Sequence, residues 1–181
     1  MDLDYYESLG YNESEEVLIK VKKDILNSLE LALWTYENKY DIDEDIIEYC
    51  VSSFVIHDYI NEKTKDILKI HDPVTLCSYN KIKQSSLNKL LEINNSAVTQ
   101  VRIGQAAIKY GFKEIFLKLK FRTDVALFNM CTTYETKVFH DIMMEHIYKG
   151  EKVTDFLNYG CITYENEEMD DLVKGIEDSM I

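Results

Sequence analysis

Apolar residues recur every three to four positions through most of this chain, which is the period of helices that are buried along one side. Val17, Val21 and Ile25 fall four residues apart, and with their neighbours they predict a first helix over about 13 to 38. A similar pattern predicts a second helix over about 44 to 69. The chain is therefore expected to be built mainly from helices.

Between 79 and 122 the order of signals predicts a helix, a tight turn and a second helix. Ser96 follows Asn94 and Asn95 and is a natural N-cap, because its hydroxyl can accept an amide proton from the first helical turn. Gly111 occurs where a left-handed residue would end the second helix. The segment is thus helix-turn-helix-like in its predicted elements.

The next stretch predicts a helix that Thr123 caps and that continues to Lys149, before Gly150. Polar residues weaken its middle, so a break or a short strand pair near 130–136 is an alternative. A second candidate for extended structure is 161–164.

The expected fold class is mainly α, as a single-domain bundle of about 5–7 helices that covers 1–181. A short strand pair near 130–136 or 161–164 is expected besides the helices, and the β-branched cluster 51–56 leaves a short strand there as an alternative to the second helix. Residues 154–157 are expected to form one helical turn.

The last segment, 165–180, has the cleanest helical spacing of the chain. Its apolar stripe consists of Met169, Leu172, Val173, Ile176 and Met180. Seven acidic residues and one lysine surround that stripe. We predict an acidic amphipathic helix that docks either on its own domain or on a partner.

Composition fits a folded protein outside membranes. The 181 residues are 46% hydrophobic and include one proline and six glycines, which favours a buried core and long helices. No apolar run approaches the roughly 20 residues that span a bilayer, and the acidic start is unlike a secretory signal. The expected location is the cytoplasm, or the host cytoplasm if the protein is viral. The four cysteines are far apart in the sequence, so their spacing predicts neither a disulfide nor a zinc site.

Charge is distributed unevenly along the chain. The formal net charge is −13, yet residues 79–122 carry nine basic and two acidic residues, a net +7 that leaves −20 for the remainder. These basic side chains either contact nucleic-acid phosphates or are ordinary solvent-facing groups on core helices. The residues concerned are Lys81, Lys83, Lys89, Arg102, Lys109, Lys113, Lys118, Lys120 and Arg122.

No group of residues indicates a reaction. His140 and His146 are six apart, whereas zinc-binding helices place two histidines four apart. Glycine-rich phosphate-binding motifs do not occur. We therefore predict no catalytic residue, cofactor or metal, and we keep an enzyme with an unrecognised site near His140 and His146 as an alternative.

Acidity is the strongest remaining signal, because clustered carboxylates can mimic nucleic-acid phosphates toward a cationic protein. We expect a non-enzymatic protein that binds and inhibits a basic, nucleic-acid-handling protein or its nucleic-acid complex, in the manner of phage or mobile-element anti-CRISPR and anti-restriction inhibitors. The alternatives are a nucleic-acid-binding regulator that uses 79–122, or an acidity that only maintains solubility. The expected acidic contacts are Asp41, Asp43, Glu44, Asp45, Glu165, Glu167, Glu168, Asp170 and Asp171. No membrane contact is expected.

Overall fold

The described part of the chain, residues 15–38, 44–78, 82–157 and 162–163 of a computed structural model, is mainly helical, as predicted. Contacts divide the chain between Ser86 and Leu87 into two units. The helices up to the division are α1 (Glu15–Asn27), α2 (Leu29–Glu37), α3 (Glu44–Ile56), α4 (Lys65–Ile70) and α5 (Gln84–Ile93), and the division falls within α5. The prediction of a single domain stays a prediction.

The second unit continues with four α-helices, one 3-10 helix and two short strands in its described residues. They are α6 (Ala97–Tyr110), α7 (Lys113–Phe116), α8 (Val125–Phe128), the 3-10 helix Tyr134–Thr136, α9 (Lys137–Tyr148), β1 (Thr154–Asp155) and β2 (Ile162–Thr163). The described chain has more helices than the predicted 5–7 because three predicted long helices are interrupted.

The first predicted helix is interrupted at Ser28, between α1 and α2. Ser28 has an extended backbone (φ −133°, ψ 108°), and its hydroxyl accepts a hydrogen bond from the Leu31 amide at 3.2 Å. A serine side chain can accept a hydrogen bond from the first turn of a following helix, and serine is less favourable than most residues within a helix. Both helices pack on α3, where Ile25, Leu31 and Phe54 are fully buried.

The second predicted helix ends at Ile56 instead of continuing to 69. Asp58 has a left-handed backbone (φ 57°), and the Tyr59 amide donates to the Phe54 carbonyl at 2.7 Å, which closes a Schellman motif. The left-handed region is unfavourable for a residue with a Cβ. Ser86 Oγ at 2.8 Å and Lys83 Nζ at 3.1 Å donate to the Asp58 carboxylate and stabilise the turn.

Both predicted caps of α6 are confirmed. The Thr99 amide donates to Ser96 Oγ at 3.0 Å, and Gly111 is left-handed (φ 75°) while the Phe112 amide donates to the Ala107 carbonyl at 2.8 Å. The helix packs against α7 and α8 and buries eight of its fourteen residues. It is therefore a core helix of the second unit.

Gly111→Ala is expected to lower the free energy of unfolding by about 1 kcal/mol. A Cβ at this position meets no atom within 4 Å, so the cost comes from the left-handed backbone alone. Urea unfolding followed by circular dichroism measures it. Gly111→Asn is the matched control, because asparagine tolerates this conformation better, and an equal loss for both variants would contradict the assignment.

The predicted helix from 124 to 149 consists of α8 and α9 with a break between them. Asp124, and not the predicted Thr123, caps α8, since its carboxylate accepts from the Ala126 amide at 3.0 Å. Thr136 Oγ1 donates to the Thr133 carbonyl at 2.9 Å, a local bond that competes with helix formation. The strand alternative near 130–136 is wrong, because its last residues form the 3-10 helix.

The expected helical turn at 154–157 is also wrong, because β1 begins it. Thr154 pairs with Thr163 and Asp155 with Ile162 in an antiparallel register, so extended structure within 161–164 is confirmed for β2. Thr154 also forms a parallel bridge with Asp124. The predicted acidic helix 165–180 lies outside the described residues.

Candidate interaction surfaces

An acidic cluster at the start of α3 consists of Glu44, Asp45, Glu48 and Asp72. Glu44 and Asp45 are in the first helical turn, where carboxylates interact favourably with the helix dipole. Burial raises the pKa of Glu48, and the negative charges of its three neighbours raise it further, while His71 opposes them. The four carboxylates therefore produce a local negative potential.

The outer two carboxylates of this cluster face solvent. The side chain of Glu44 is 80% exposed with Oε1 3.9 Å from His71 Nδ1, and that of Asp45 is 68% exposed with Oδ2 3.6 Å from Lys22 Nζ. Exposed pairs at such distances contribute little binding energy, and both carboxylates remain accessible to solvent. The other predicted acidic contacts lie outside the described residues, namely Asp41, Asp43, Glu165, Glu167, Glu168, Asp170 and Asp171.

Several of the predicted basic residues contact other side chains of the protein. Lys83 is paired with Asp58, Lys109 lies 5.5 Å from the ring centre of Tyr110, and Lys89 is exposed on α5. Lys81 lies outside the described residues.

The two arginines of the segment are partly buried. Arg102 Nη1 donates to Gln105 Oε1 at 3.2 Å on the same helix. Arg122 is only 15% exposed, and its Nη1 donates to the Leu117 carbonyl at 2.8 Å. Both guanidinium groups therefore have hydrogen-bond partners within the protein.

The remaining three lysines, Lys113, Lys118 and Lys120, are exposed on one short segment that we call the lysine strip. Within the described residues none of them forms an ion pair with a carboxylate. Lys118 Nζ donates instead to Asn88 Oδ1 at 2.9 Å. The strip is therefore one part of the predicted basic segment whose ammonium groups face solvent without a carboxylate partner among the described residues.

His146, one of the two histidines of the enzymatic alternative, belongs to a cluster with Glu151 and Arg122. His146 Nδ1 is 2.6 Å from Glu151 Oε1, and Arg122 Nη1 is 3.4 Å from His146 Nε2. A guanidinium can only donate, so Nε2 accepts, and the ring proton on Nδ1 is donated to Glu151. Arg122 thus covers the nitrogen that a metal or a substrate proton would need.

Glu151 was not predicted as a partner of His146, although the glycine before it is a local signal for its position. Gly150 is left-handed (φ 91°), and the Glu151 amide donates to the His146 carbonyl at 3.0 Å. This Schellman geometry returns the chain over the last turn of α9. A glycine at that position therefore indicates that residue 151 lies beside residue 146.

His140 has surroundings different from those of His146. Its ring lies edge-on to Phe128 with centres 6.0 Å apart, and its Nδ1 is 3.7 Å from Asp141 Oδ1. Among the described residues, the contacts of His140 and those of His146 involve different side chains. Within the described chain no group of three or more His, Cys, Asp or Glu side chains is arranged to hold a metal ion.

Two cysteines are poorly suited to act as nucleophiles. Burial raises the pKa of both Cys50 and Cys131 to about 12, which keeps the thiols protonated near neutral pH. Cys77 is half-buried, and Cys161 lies outside the described residues.

A buried polar network that sequence reasoning missed joins α8 to β1. Asp124 is fully buried, and its carboxylate accepts from the Ala126 amide at 3.0 Å, Thr154 Oγ1 at 2.9 Å and the Phe156 amide at 3.0 Å. Burial raises the pKa of Asp124, whereas these hydrogen bonds lower it. All three donors come from the protein itself, so the network stabilises the fold of the second unit.

Comparison with known proteins returns no match to a family model, a curated protein or a solved structure. Among the described residues, no helix combines the length and the apolar character that crossing a bilayer requires.

Proposed function

We propose that this protein is a non-enzymatic acidic interaction protein that binds, and thereby inhibits, a basic nucleic-acid-handling protein. The observation that carries the proposal is the acidic cluster of Glu44, Asp45, Glu48 and Asp72, whose outer carboxylates are 80% and 68% exposed. Several carboxylates close together attract a cationic groove and speed its encounter. A target that normally holds nucleic acid offers such a groove.

The raised pKa of Glu48 supports this proposal, because part of the shift comes from neighbouring negative charge. A cationic partner would relieve that repulsion and would favour the ionised form of Glu48. Binding of a cationic partner is therefore expected to release a proton from Glu48 in the pH range in which Glu48 is partly protonated.

The triple variant Glu44→Gln, Asp45→Asn and Glu48→Gln tests the acidic cluster directly. We expect it to bind a fluorescent arginine-rich peptide about tenfold more weakly than the wild type, because three charge contacts are removed. Fluorescence anisotropy with the full chain at several salt concentrations measures the affinity. The wild-type affinity should fall as salt rises.

A second triple variant, Glu92→Gln, Glu135→Gln and Asp141→Asn, is the matched control. It removes the same formal charge from exposed positions of the second unit. Equal weakening by both variants would mean that only the total charge attracts the peptide, and the cluster would lose its proposed role. Inhibition is tested separately, by asking whether the wild type displaces a DNA duplex from a purified nuclease with a cationic groove while the cluster variant does not.

A further inference from the structure

The lysine strip is fixed on its inner side by the core of the second unit. Ile115, Phe116 and Leu119 are fully buried, while Lys113, Lys118 and Lys120 between and beside them are exposed. This alternation places the buried side chains inward and the three ammonium groups outward. The three exposed lysines are thus carried by a segment whose apolar side chains are packed in the core of the second unit.

Two buried or half-buried amide side chains hold the backbone of Lys120 and the ammonium group of Lys118. Gln100, only 1% exposed, accepts from the Lys120 amide through Oε1 at 2.8 Å, and its Nε2 donates to Asn95 Oδ1 at 2.7 Å. Asn88 on α5 accepts from Lys118 Nζ at 2.9 Å. Residues up to 30 positions apart in sequence therefore fix where these lysines lie.

We propose that Lys113, Lys118 and Lys120 bind the phosphate backbone of duplex nucleic acid without reading its sequence. Phosphates occur in a regular row along a duplex, and lysines act as flexible point charges that need no fixed fork geometry. None of the three lysines lies in α6, the second helix of the helix-turn-helix-like order, and an ammonium group contacts a phosphate as a point charge. The contact therefore depends on charge alone.

Other anionic partners fit the strip less well. The only strongly exposed apolar side chain between 113 and 120 is Leu117, 44% exposed, which is too little to anchor a protein in a lipid surface. Glu114 is the one acidic residue between 113 and 120, so that segment has a net charge of +2. A line of phosphates can take up the three lysines while leaving Glu114 to solvent.

The net charge of −13 limits this binding but does not abolish it. At physiological ionic strength the Debye length is about 8 Å, so repulsion between the duplex and distant carboxylates is largely screened. Direct lysine–phosphate contacts persist under the same conditions. The affinity is therefore expected to be modest and to come from local contacts.

The test is fluorescence anisotropy of a labelled DNA duplex titrated with the full chain at several salt concentrations. Three neutralised phosphates predict a slope of about −2.7 in a plot of log affinity against log salt. The triple variant Lys113→Gln, Lys118→Gln and Lys120→Gln should lose at least about tenfold in affinity and most of that slope. The variant with arginine at the same three positions should bind like the wild type.

The matched control is Lys63→Gln, Lys137→Gln and Lys152→Gln, which changes the net charge equally at exposed positions outside the strip. An equal loss for the control, an unchanged slope for the strip variant, or no binding by the wild type at low salt would overturn the proposal. Tighter binding of the wild type to phosphatidylglycerol vesicles or to poly-L-glutamate than to the duplex would also overturn it. The acidic-cluster variant should bind the duplex at least as well as the wild type, so this proposal and the proposed function fail independently.

Discussion

Phe116→Ala is expected to lower the free energy of unfolding of the second unit by about 4 kcal/mol. Phe116 is fully buried in α7, and its ring meets Phe139 of α9 edge to face, with ring centres 5.1 Å apart and planes at 77°. Truncation removes this aromatic contact and leaves a cavity that a close-packed interior cannot collapse to fill. The four-residue helix α7 has few other buried anchors.

Urea unfolding followed by circular dichroism measures this loss. Fluorescence is a poor choice, because the only tryptophan, Trp34, lies in the other unit. Leu117→Ala is the neighbouring control, since an exposed side chain should change stability by less than about 0.5 kcal/mol. Similar losses for both variants would show that Phe116 does not hold α7 against α9.

Asp124→Ala is expected to cost about 3 kcal/mol, the second largest effect. The change leaves the amides of Ala126 and Phe156 and the hydroxyl of Thr154 without their shared acceptor in a buried site. Removal of a buried charge offsets part of this loss, because burial opposes ionisation of Asp124. The same urea experiment measures the net cost, and Asp141→Ala on the exposed face of α9 is its control.

Asp124→Asn separates the charge of this residue from its shape. Because burial raises the pKa of Asp124, its protonated form is favoured in the folded state relative to the unfolded state. The stability that this difference in protonation contributes is fully present below the ordinary aspartate pKa of about 4, and it is lost as pH rises through the raised pKa of the folded state. The stability advantage of the wild type over Asp124→Asn should therefore narrow as pH rises from about 4, and a widening advantage would contradict the burial argument.

The two proposed surfaces differ in how far the sequence revealed them. Glu44 and Asp45 are visible as part of an acidic run, and the structure adds Glu48 and Asp72 around them. Nine basic residues were candidates for phosphate contact, and nothing in their spacing separates Arg122 from Lys120. Only the fold shows that Arg122 lies beside Glu151, whereas Lys120 faces solvent.

Sequence alone determined the helical character of the chain and the caps at Ser96 and Gly111, because helix period and capping depend on residues within a few positions of one another. The tertiary structure decided which charged side chains reach solvent, and it stabilised the turn that ends α3. Asp58 adopts a left-handed turn with partners 25 and 28 residues away, and Asp124 accepts from donors 30 and 32 residues away. Such bonds form only once distant segments are packed together, so no local pattern of residues can specify them.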